Sequence, residues 1–362
     1  MSQPFRLNKE GLINRNKKIS FTFNGKKLFG YEGDTIASAL IANGIHLVGR
    51  SFKYHRPRGF FGAGVEEPNA KLQVEFNGHS EPNVNATEME LVEGLSATSQ
   101  NCWPSVNFDV GAINNFLKMF FPAGFYYKTF MWPKSFWYKI YEPFIRKAAG
   151  LGVASLEKDK ERYEHKFEYC DLLVTGSGPS GLASAYAAAK NGAKVILAED
   201  KPRFGGTLLT DDVSIDNLSG KDWAEKIITE LKSMPNVTVK NRSQVFGYYD
   251  HNMLVMFERV SDHLEKKSKF TPRQRLWYIR AKETILSTGS IERPIVFGNN
   301  DTPGIFLSAA AKEYMKVYGV LVGKKPLIFT NNDSAYETAL EFKKNNVEPI
   351  ILDTREEHSS EL

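Results

Sequence analysis

Alternation of apolar and polar residues near the start of the chain predicts β-structure interrupted by one helix. The run ISFTFNGKKLFG (19–30) alternates on both sides of Asn24-Gly25, a dipeptide typical of a tight β-hairpin. Apolar residues then recur at helical spacing in YEGDTIASALIANG. Asp34 or Thr35 is the expected N-cap of this helix, and Gly44 is expected to end it.

Alternation resumes in segments 71–78 and 86–94, which predicts two more strands. A hairpin, a helix, a long loop and strands in this order are typical of a plant-type ferredoxin, or β-grasp, module. Such a module places the cysteines that ligate its 2Fe–2S cluster in the loop after the helix, and the cluster needs four thiolates. Here that loop, 48–70, contains no cysteine. We therefore expect a ferredoxin-like domain that has lost its cluster cysteines.

The middle of the chain is unusually aromatic. Segment 113–147, INNFLKMFFPAGFYYKTFMWPKSFWYKIYEPFIRK, is interrupted by prolines and carries several Lys and Arg residues, which argues against a membrane span. We expect this segment to pack between domains or against another subunit, because aromatic and Arg residues are favoured in interface cores. A segment lying in a membrane interface is the alternative.

From Cys170 onward, short apolar runs alternate with helical patterns, which predicts βαβ units and a parallel sheet. DLLVT and KVILAE are expected strands on either side of an alanine-rich helix, and SGKDWAEKIITELKSM is a further helix capped by Ser219. Later strands are expected in VTVKNRSQVFGYYD, MLVMFERV and RLWYIRAKETILST, followed by a helix in SAAAKEYMKVYG. A second strand–helix–strand unit follows, and TREEHSSEL (354–362) is expected to be a frayed polar tail.

Composition narrows the class of protein. The chain is 42% hydrophobic and 25% charged, which is ordinary for a globular protein. It contains no apolar run near the length of about 18 residues that a membrane span needs, and no secretory signal, so we expect a cytoplasmic protein. The first 60 residues carry eleven Lys or Arg against three Asp or Glu. No nucleic-acid motif accompanies this charge, which we interpret as a solvated or inter-subunit face.

The strongest chemical signal is GSGPSG, at the end of the DLLVT strand and with Pro179 inside the turn. Gly176, Gly178 and Gly181 form G-x-G-x-x-G between a strand and a helix, the context in which this pattern binds a dinucleotide. Gly176 permits a tight turn, Gly178 lets the backbone approach a pyrophosphate, and Gly181 allows close packing of helix and strand. The helix N-terminus then supplies N–H groups to the phosphates.

A carboxylate follows the second strand of this unit. Glu199 lies 23 residues after Gly176, where it can accept hydrogen bonds from both ribose hydroxyls and disfavours the 2′-phosphate of NADP. Gly206 and Thr207 are expected near a phosphate, and Thr288-Gly289 at the end of the strand that returns beneath the cofactor. The pattern is as typical of FAD as of NAD, so the motif leaves both cofactors open.

Other chemistry is weakly indicated. The turn of the second βαβ unit reads Thr330-Asn331-Asn332-Asp333 in place of glycines, and Asp333 would oppose a pyrophosphate. The histidines are scattered, with neither a nucleophile signature nor metal-ligand spacing. We predict no catalytic residue and no metal site in this chain.

The chain resembles the family of α subunits of heterotetrameric sarcosine oxidases. The resemblance is carried by RPRGFFGAGVEEPNA, FPAGFYYKTFMWP, GSGPSGLASA, FGGTLL, NNDTPGIF and IFTNNDSAYETALEF, and it covers essentially the whole chain. It implies an α/β fold in which a Rossmann-like FAD/NAD(P)-binding domain follows the ferredoxin-like domain. It also implies β, γ and δ subunits as partners. From the sequence itself, which has neither a nucleic-acid motif nor a membrane span, we expect neither nucleic acid nor a membrane as a partner.

The resemblance further implies the chemistry of the complete enzyme. Sarcosine is oxidised at FAD on the β subunit, electrons pass through FMN to oxygen, and tetrahydrofolate captures the one-carbon unit. The products are glycine, hydrogen peroxide and methylenetetrahydrofolate. NAD is bound by the α subunit without turnover. The implied NAD contacts are Ser180, Glu199, Asp200, Lys201, Thr207 and Val245, although the family has Arg or Gln where this chain has Lys201.

We therefore expect a ferredoxin-like domain (1–100), an aromatic linker or interface segment (101–165), a dinucleotide-binding domain (166–322) and the start of a second βαβ domain (323–362). Family members are much longer and end in a folate-binding domain. The chain is thus expected to be an N-terminal portion, from a fragment or a split gene, that is inactive alone. The alternatives are an FAD-binding subunit of a related amine or opine dehydrogenase and a non-catalytic interaction module.

The missing cysteines give a first testable prediction. The purified chain should contain neither iron nor acid-labile sulfide in stoichiometric amounts, because Cys102 is the only cysteine before residue 170. Elemental analysis and a sulfide assay on anaerobically purified protein measure both. One cluster equivalent per chain would contradict the prediction.

Overall fold

The computed structural model describes residues 2–120, 124 and 129–356. Parts of two sequence predictions fall outside these residues, namely positions 121–123 and 125–128 of the aromatic segment and positions 357–362 of the polar tail. Contacts divide the chain into two compact units, with Met1–Lys158 and Glu292–Leu362 in unit 1 and Asp159–Ile291 in unit 2. Residues 292–322, which are expected from the sequence in the dinucleotide-binding domain, belong by their contacts to unit 1.

The elements are numbered in chain order. The strands are β1 (Asn14–Phe23), β2 (Lys26–Glu32), β3 (Gly49–Arg50), β4 (Pro57–Arg58), β5 (Lys71–Phe76), β6 (His79–Asn85), β7 (Ser96–Ser99), β8 (Tyr163–Thr175), β9 (Val195–Ala198), β10 (Ser214–Ile215), β11 (Leu218–Ser219), β12 (Val237–Lys240), β13 (Ser243–Tyr249), β14 (Met253–Arg259), β15 (Gln274–Leu286), β16 (Leu327–Thr330) and β17 (Ile350–Asp353). The α-helices within the described residues are α1 (Ile36–Ala42), α2 (Ile113–Phe116), α3 (Glu142–Ala149), α4 (Pro179–Lys190), α5 (Gly220–Ser233), α6 (Ser308–Lys316) and α7 (Ser334–Lys344).

Unit 1 begins with the predicted hairpin and helix. Strands β1 and β2 pair antiparallel around Asn24 (φ 49°) and Gly25 (φ 76°), and they form one side of a sheet of order β2-β1-β7-β5-β6. Helix α1 is buried along its whole length. Its N-cap is Thr35, whose side chain accepts the N–H of Ser38, and Gly44 follows the helix with φ 79°.

The predicted strand at 86–94 is wrong. The carbonyl oxygens of Ala86 and Met89 accept N–H groups at the start of α1 instead of pairing with another strand. The alternating pattern arises because Leu91 and Val92 are buried in the core from an irregular segment. Strands β6 and β7, which flank this segment, were not predicted because they are short or polar. Strand β6 contains Pro82, which the sheet tolerates because β6 is an edge strand.

Residues 6–12, before β1, contact residues 317–320, and these contacts are among those that group the end of the chain with unit 1. The side chain of Arg6 forms a buried ion pair with Asp34 at 2.7 Å and donates to the carbonyl of Tyr318 at 2.7 Å. The backbone N–H of Leu7 donates to the carbonyl of Gly319 at 2.9 Å. The predicted second βαβ unit is present as β16, α7 and β17, with β16 and β17 parallel.

Unit 2 contains the predicted parallel sheet, extended by an antiparallel hairpin. Its order is β12-β9-β8-β15-β14-β13, with β12, β9, β8 and β15 parallel and β14 antiparallel to both of its neighbours. Helices α4 and α5 pack their buried Leu182, Ala185, Ile227 and Leu231 against this sheet. The segment VTVKNRSQVFGYYD contains two strands, separated by Asn241 and Arg242, because Arg242 has φ 51°.

The described part of the aromatic segment consists of short helical pieces, including α2 and α3. Several of its large side chains are exposed, among them Phe116 at 84% and Trp132 at 83%. Among the helices of the described residues, none has the length and apolar character that crossing a membrane requires.

Candidate dinucleotide-binding site

The site in unit 2 lies where three parallel strands end side by side. Thr175, the last residue of β8, is in register with Ala198 at the end of β9 and with Leu286 at the end of β15. The N–H of Gly176 donates to the carbonyl of Ala198, and the N–H of Ser287 donates to that of Thr175, each at 2.8 Å. The segments that follow the three strands are therefore neighbours, at the carboxyl edge where open α/β sheets bind ligands.

Two of the three glycines are required by close backbone contacts. Gly176 has φ 96°, and a Cβ atom at this position would lie 2.2 Å from the carbonyl oxygen of Ser287. A Cβ at Gly181 would lie 1.9 Å from the carbonyl oxygen of Gly176. No real Cβ is found so close to another atom, so both positions are restricted to glycine by the fold itself.

Gly178, in contrast, is not restricted to glycine by the fold itself. It is the N-cap of α4 with φ −68° and ψ −176°, a conformation open to any residue, and a Cβ there would meet nothing within 4 Å. The open space lies at a helix N-terminus, where unpaired N–H groups favour an anion. Pro179 and Ser180 form the exposed first turn of α4.

A second pair of glycines lies against this turn. Gly206 has φ 53°, and its Cβ would lie 2.9 Å from the Cα of Gly178, so a side chain there would fill the space over the helix end. Thr207 follows and is exposed. The residues present therefore fit a dinucleotide, since neither Gly178 nor Gly206 places a side chain in the space over the helix end. We call this space between the two glycines the glycine cradle.

Glu199 lies directly after β9 and is buried, with 6% of its surface exposed. Its Oε2 accepts the backbone N–H of Ser177 at 2.9 Å and also the Ser177 hydroxyl, while Oε1 accepts the N–H of Lys201 at 3.1 Å. The carboxyl group is thus held at the end of β9, beside the glycine turn. This is the position from which such a carboxylate reaches ribose hydroxyls.

The environment of Glu199 favours its neutral form. Burial, followed by the neighbouring Asp200 carboxyl group, raises the pKa of Glu199 to about 7, against the lowering effect of the hydrogen bonds from Ser177 and Lys201. Glu199 therefore changes charge near neutral pH, where an ordinary glutamate is fully ionised.

Ser177 is a site residue that the sequence analysis missed. It is fully buried, and both its carbonyl oxygen and its hydroxyl oxygen accept the N–H of Gly205 at 3.1 Å. Since its hydroxyl also donates to Glu199, Ser177 links the glycine turn, the Glu199 carboxylate and the 205–207 loop. The only signal in the sequence is a small polar residue between the first two glycines.

The remaining expected site residues lie around these three segments. Asp200 and Lys201 follow Glu199 and are half-buried, and Thr288 and Gly289 are exposed after β15. Val245 lies on β13, two residues after Ser243, whose N–H donates to the Glu199 carbonyl at 2.7 Å. Its half-buried side chain packs on a core cluster that contains Leu254 and Met256.

The turn of the second βαβ unit, in unit 1, has a different chemistry. Asp333 precedes α7 and forms an ion pair with Arg355 at 2.6 Å, and Arg355 also pairs with Asp353 at 2.7 Å, at the end of β17. Within the described ranges, no group of three or more His, Cys, Asp or Glu side chains has an arrangement that would hold a metal ion.

Two family models match separate parts of the chain. Residues 171–254 match the family described as FAD dependent oxidoreductase, which includes the glycine turn, Glu199 and Val245. Residues 16–102 match the family described as a 2Fe-2S iron-sulfur cluster binding domain. These residues do not fit a cluster, because Cys102 is the only cysteine among them.

Whole-chain comparisons agree with one another. The chain is 51% identical over 352 residues to sarcosine oxidase subunit alpha of Rhizobium meliloti (strain 1021), covering 97% of this chain and 36% of that protein. It is 33% identical over 369 residues to sarcosine oxidase subunit alpha of Corynebacterium sp. (strain U-96), covering 99% of this chain and 33% of that protein. The chain thus spans about a third of the length of these curated relatives.

A solved structure shows the same fold. The crystal structure of L-proline dehydrogenase from P. horikoshii matches with a TM-score of 0.65 and 21% sequence identity, covering 99% of this chain and 57% of that chain. The expected fold class, a Rossmann-like FAD/NAD(P)-binding domain preceded by a ferredoxin-like domain, is confirmed.

The two kinds of glycine in the turn give a testable prediction. Gly181→Ala should lower the free energy of unfolding by about 1–3 kcal/mol or more, because its methyl group overlaps the Gly176 carbonyl. Gly178→Ala should change that free energy by less than about 1 kcal/mol, the difference between Gly and Ala at an N-cap. Urea unfolding of both variants measures this contrast, and equal losses in the two would contradict the geometry.

Proposed function

The chain belongs to the family of sarcosine oxidase alpha subunits, and from this membership we propose that it is the NAD-binding portion of such a subunit. The observation that carries the proposal is the arrangement in unit 2, where a bare glycine cradle and a buried carboxylate lie side by side. Glu199 would hold the ribose hydroxyls of the nucleotide, and the N–H groups of the first turn of α4 would hold its pyrophosphate.

The proposed activity is that of the complete enzyme. This enzyme is a heterotetramer that oxidises sarcosine with oxygen and tetrahydrofolate, giving glycine, hydrogen peroxide and methylenetetrahydrofolate. FAD and FMN lie elsewhere in the complex, and this portion supplies a bound nucleotide and a framework, not catalytic residues. In the site described here, the side chains serve to bind and orient the nucleotide.

The β, γ and δ subunits are the proposed partners. The exposed aromatic side chains between Trp103 and Phe144 support a subunit contact, because large apolar surfaces of this kind are typical of interaction sites. Lys118, Lys134 and Lys139 lie among these side chains, so the surface is both aromatic and basic. This composition suits the core and rim of a protein interface.

Two alternatives remain for the same site. A glycine turn followed by Glu199 suits FAD as well as NAD, since both contain an adenosine ribose and a pyrophosphate. With FAD bound, the chain would be a flavin-binding subunit of a related amine or opine dehydrogenase. With neither nucleotide bound, it would be a non-catalytic interaction module.

Identification of the bound molecule tests the proposal. Mass spectrometry of small molecules released from the chain co-expressed with its β subunit should find NAD at about one per chain. The matched control is Gly178→Ala, which keeps the fold but fills the space over the helix end and should carry no NAD. FAD in place of NAD would support the first alternative, and calorimetry without binding of either nucleotide would support the second.

The environment of Glu199 predicts that NAD binding depends on pH. Ribose hydroxyls donate hydrogen bonds, so the ionised carboxylate is the binding form, and the pKa of Glu199 is about 7 in the ligand-free site. As pH falls from about 8 to about 6, protonation should compete with NAD, and the Kd should rise by up to about tenfold per pH unit below the pKa.

Two variants isolate the contribution of Glu199. Glu199→Gln and Glu199→Ala should weaken binding at high pH by roughly 1.5–3 kcal/mol, the usual contribution of hydrogen bonds to a charged group. Both should also lose the pH dependence in this range. Titration calorimetry at several pH values measures the effect. A variant that binds as tightly as the wild type, or keeps its pH slope, would refute the ribose assignment.

A further inference from the structure

Loop 59–70 of unit 1 folds around a buried carboxylate. Glu67 is 2% exposed, and both of its oxygens accept backbone N–H groups. Oε2 accepts from Phe61 at 2.6 Å and from Gly62 at 2.7 Å, while Oε1 accepts from Asn69 at 2.7 Å and from Ala70 at 3.2 Å. Four main-chain donors on the two sides of the loop thus converge on one side chain.

The positions of these residues match the spacing of a cluster site. Plant-type 2Fe–2S domains ligate their cluster with the spacing C-x4-C-x2-C. In the loop of this chain, the sequence Gly62-x4-Glu67-x2-Ala70 has the same spacing, within the region that matches the family of cluster-binding domains. The side chain at the second position accepts the N–H groups of the first and third.

Concave arrangements of backbone N–H groups bind anions, and iron–sulfur sites are one example. An anion there replaces the water that these N–H groups would otherwise bind, and without one they would be buried and unpaired. Burial raises the pKa of Glu67, and its four amide hydrogen bonds counter that shift. Glu66 adds a second carboxylate at the rim, where its Oε1 accepts the N–H of Ala63 at 2.7 Å and of Gly64 at 3.0 Å.

We propose that the Glu67 carboxylate replaces the iron–sulfur cluster as the anion around which loop 59–70 folds, which makes the ferredoxin-like domain a redox-inert frame for the segment that follows residue 292. This inference does not depend on which nucleotide unit 2 binds.

The contacts of the loop show what the frame holds. The N–H of Leu307 donates to the carbonyl of Phe61 at 2.9 Å, and the hydroxyl of the fully buried Tyr314 donates to the carbonyl of Gly62 at 3.0 Å. Phe61 and Gly62 therefore present their N–H groups to Glu67 and their carbonyl groups to the segment containing α6. The Gly62 N–H and the Phe61 carbonyl belong to the same peptide group, so the carboxylate that holds this N–H also orients the carbonyl that accepts the N–H of Leu307, just before α6.

Ion pairs just before the loop secure the same segment. Arg56 pairs with Asp301 at 2.7 Å, and Arg58 pairs with the same carboxylate and donates to the Asp301 carbonyl at 3.0 Å. The ferredoxin-like domain thus retains a loop with the spacing of cluster ligands. This loop and the residues just before it bind the segment that contains Asp301 and α6, within unit 1.

Amide hydrogen exchange on the unmodified chain gives the first test. The N–H groups of residues 61, 62, 69 and 70 should exchange as slowly as those of β5, because each is bonded to a buried acceptor. Fragmentation mass spectrometry at single-residue resolution measures these rates. Exchange at the rate of exposed loop amides would overturn the proposal.

A charge-neutral substitution gives the second test. Glu67→Gln keeps the size of the side chain but turns an N–H₂ group toward backbone donors, and it should lower the midpoint of thermal unfolding by about 5 °C or more. Glu75→Gln is the matched control, since Glu75 is exposed on β5, and it should shift the midpoint by no more than about 2 °C. If the unfolding midpoint of Glu67→Gln is the same as that of Glu75→Gln, the proposal fails.

Chemical rescue separates an anion site from ordinary packing. Glu67→Ala leaves the four N–H groups without their acceptor, so added sodium formate should raise its melting midpoint more than sodium chloride at the same concentration. Each salt should shift the melting midpoints of the wild type and of Glu75→Gln by the same amount. Equal effects of formate and chloride on Glu67→Ala would show that the loop does not need a carboxylate and would overturn the proposal.

Discussion

Each unit of the chain depends on a buried carboxylate whose oxygens accept backbone N–H groups. Glu67 fixes loop 59–70 in unit 1, and Glu199 joins the glycine turn to the end of β9 in unit 2. Removing a carboxylate from water costs several kcal/mol unless donors replace its hydration shell. Each loop must therefore keep its backbone N–H groups bonded to its glutamate. The attachment of α6 depends on these bonds in unit 1, and the shape of the glycine cradle depends on them in unit 2.

Much of the fold follows from local sequence signals. Three of these signals act within a few residues, so their physical basis can be recognised in the sequence. They are the Asn24-Gly25 turn, the caps of α1 and α5, and the strand–glycine–helix order of β8 and α4. The cradle was predictable for the same reason. The positive φ of Gly176 and the contact of Gly181 with its carbonyl are properties of a six-residue turn.

The features that sequence reasoning missed depend on distant contacts. Residues 86–94 alternate like a strand, but their carbonyl groups are used by the start of α1, and no local pattern encodes that choice. Glu67 looks like one of two adjacent solvent-exposed acids until the loop folds over it. Residues 292–356 group with unit 1 through partners more than 240 positions away, such as Arg6 for Tyr318 and Arg56 for Asp301. Such pairings require the tertiary structure.

If Glu199 holds the ribose, as proposed, its existing hydrogen bonds restrict how the ribose would bind. A carboxylate offers about four acceptor positions, and the N–H of Ser177, its hydroxyl and the N–H of Lys201 already use three. Two ribose hydroxyls need two positions, so one present donor must give way. The backbone N–H groups are fixed by the turn, whereas a hydroxyl can rotate. The Ser177 hydroxyl also accepts the N–H of Gly205, so its rotation disturbs the loop that carries Gly206 and Thr207. The proposed ribose binding would therefore be coupled through one hydroxyl group to the position of loop 205–207.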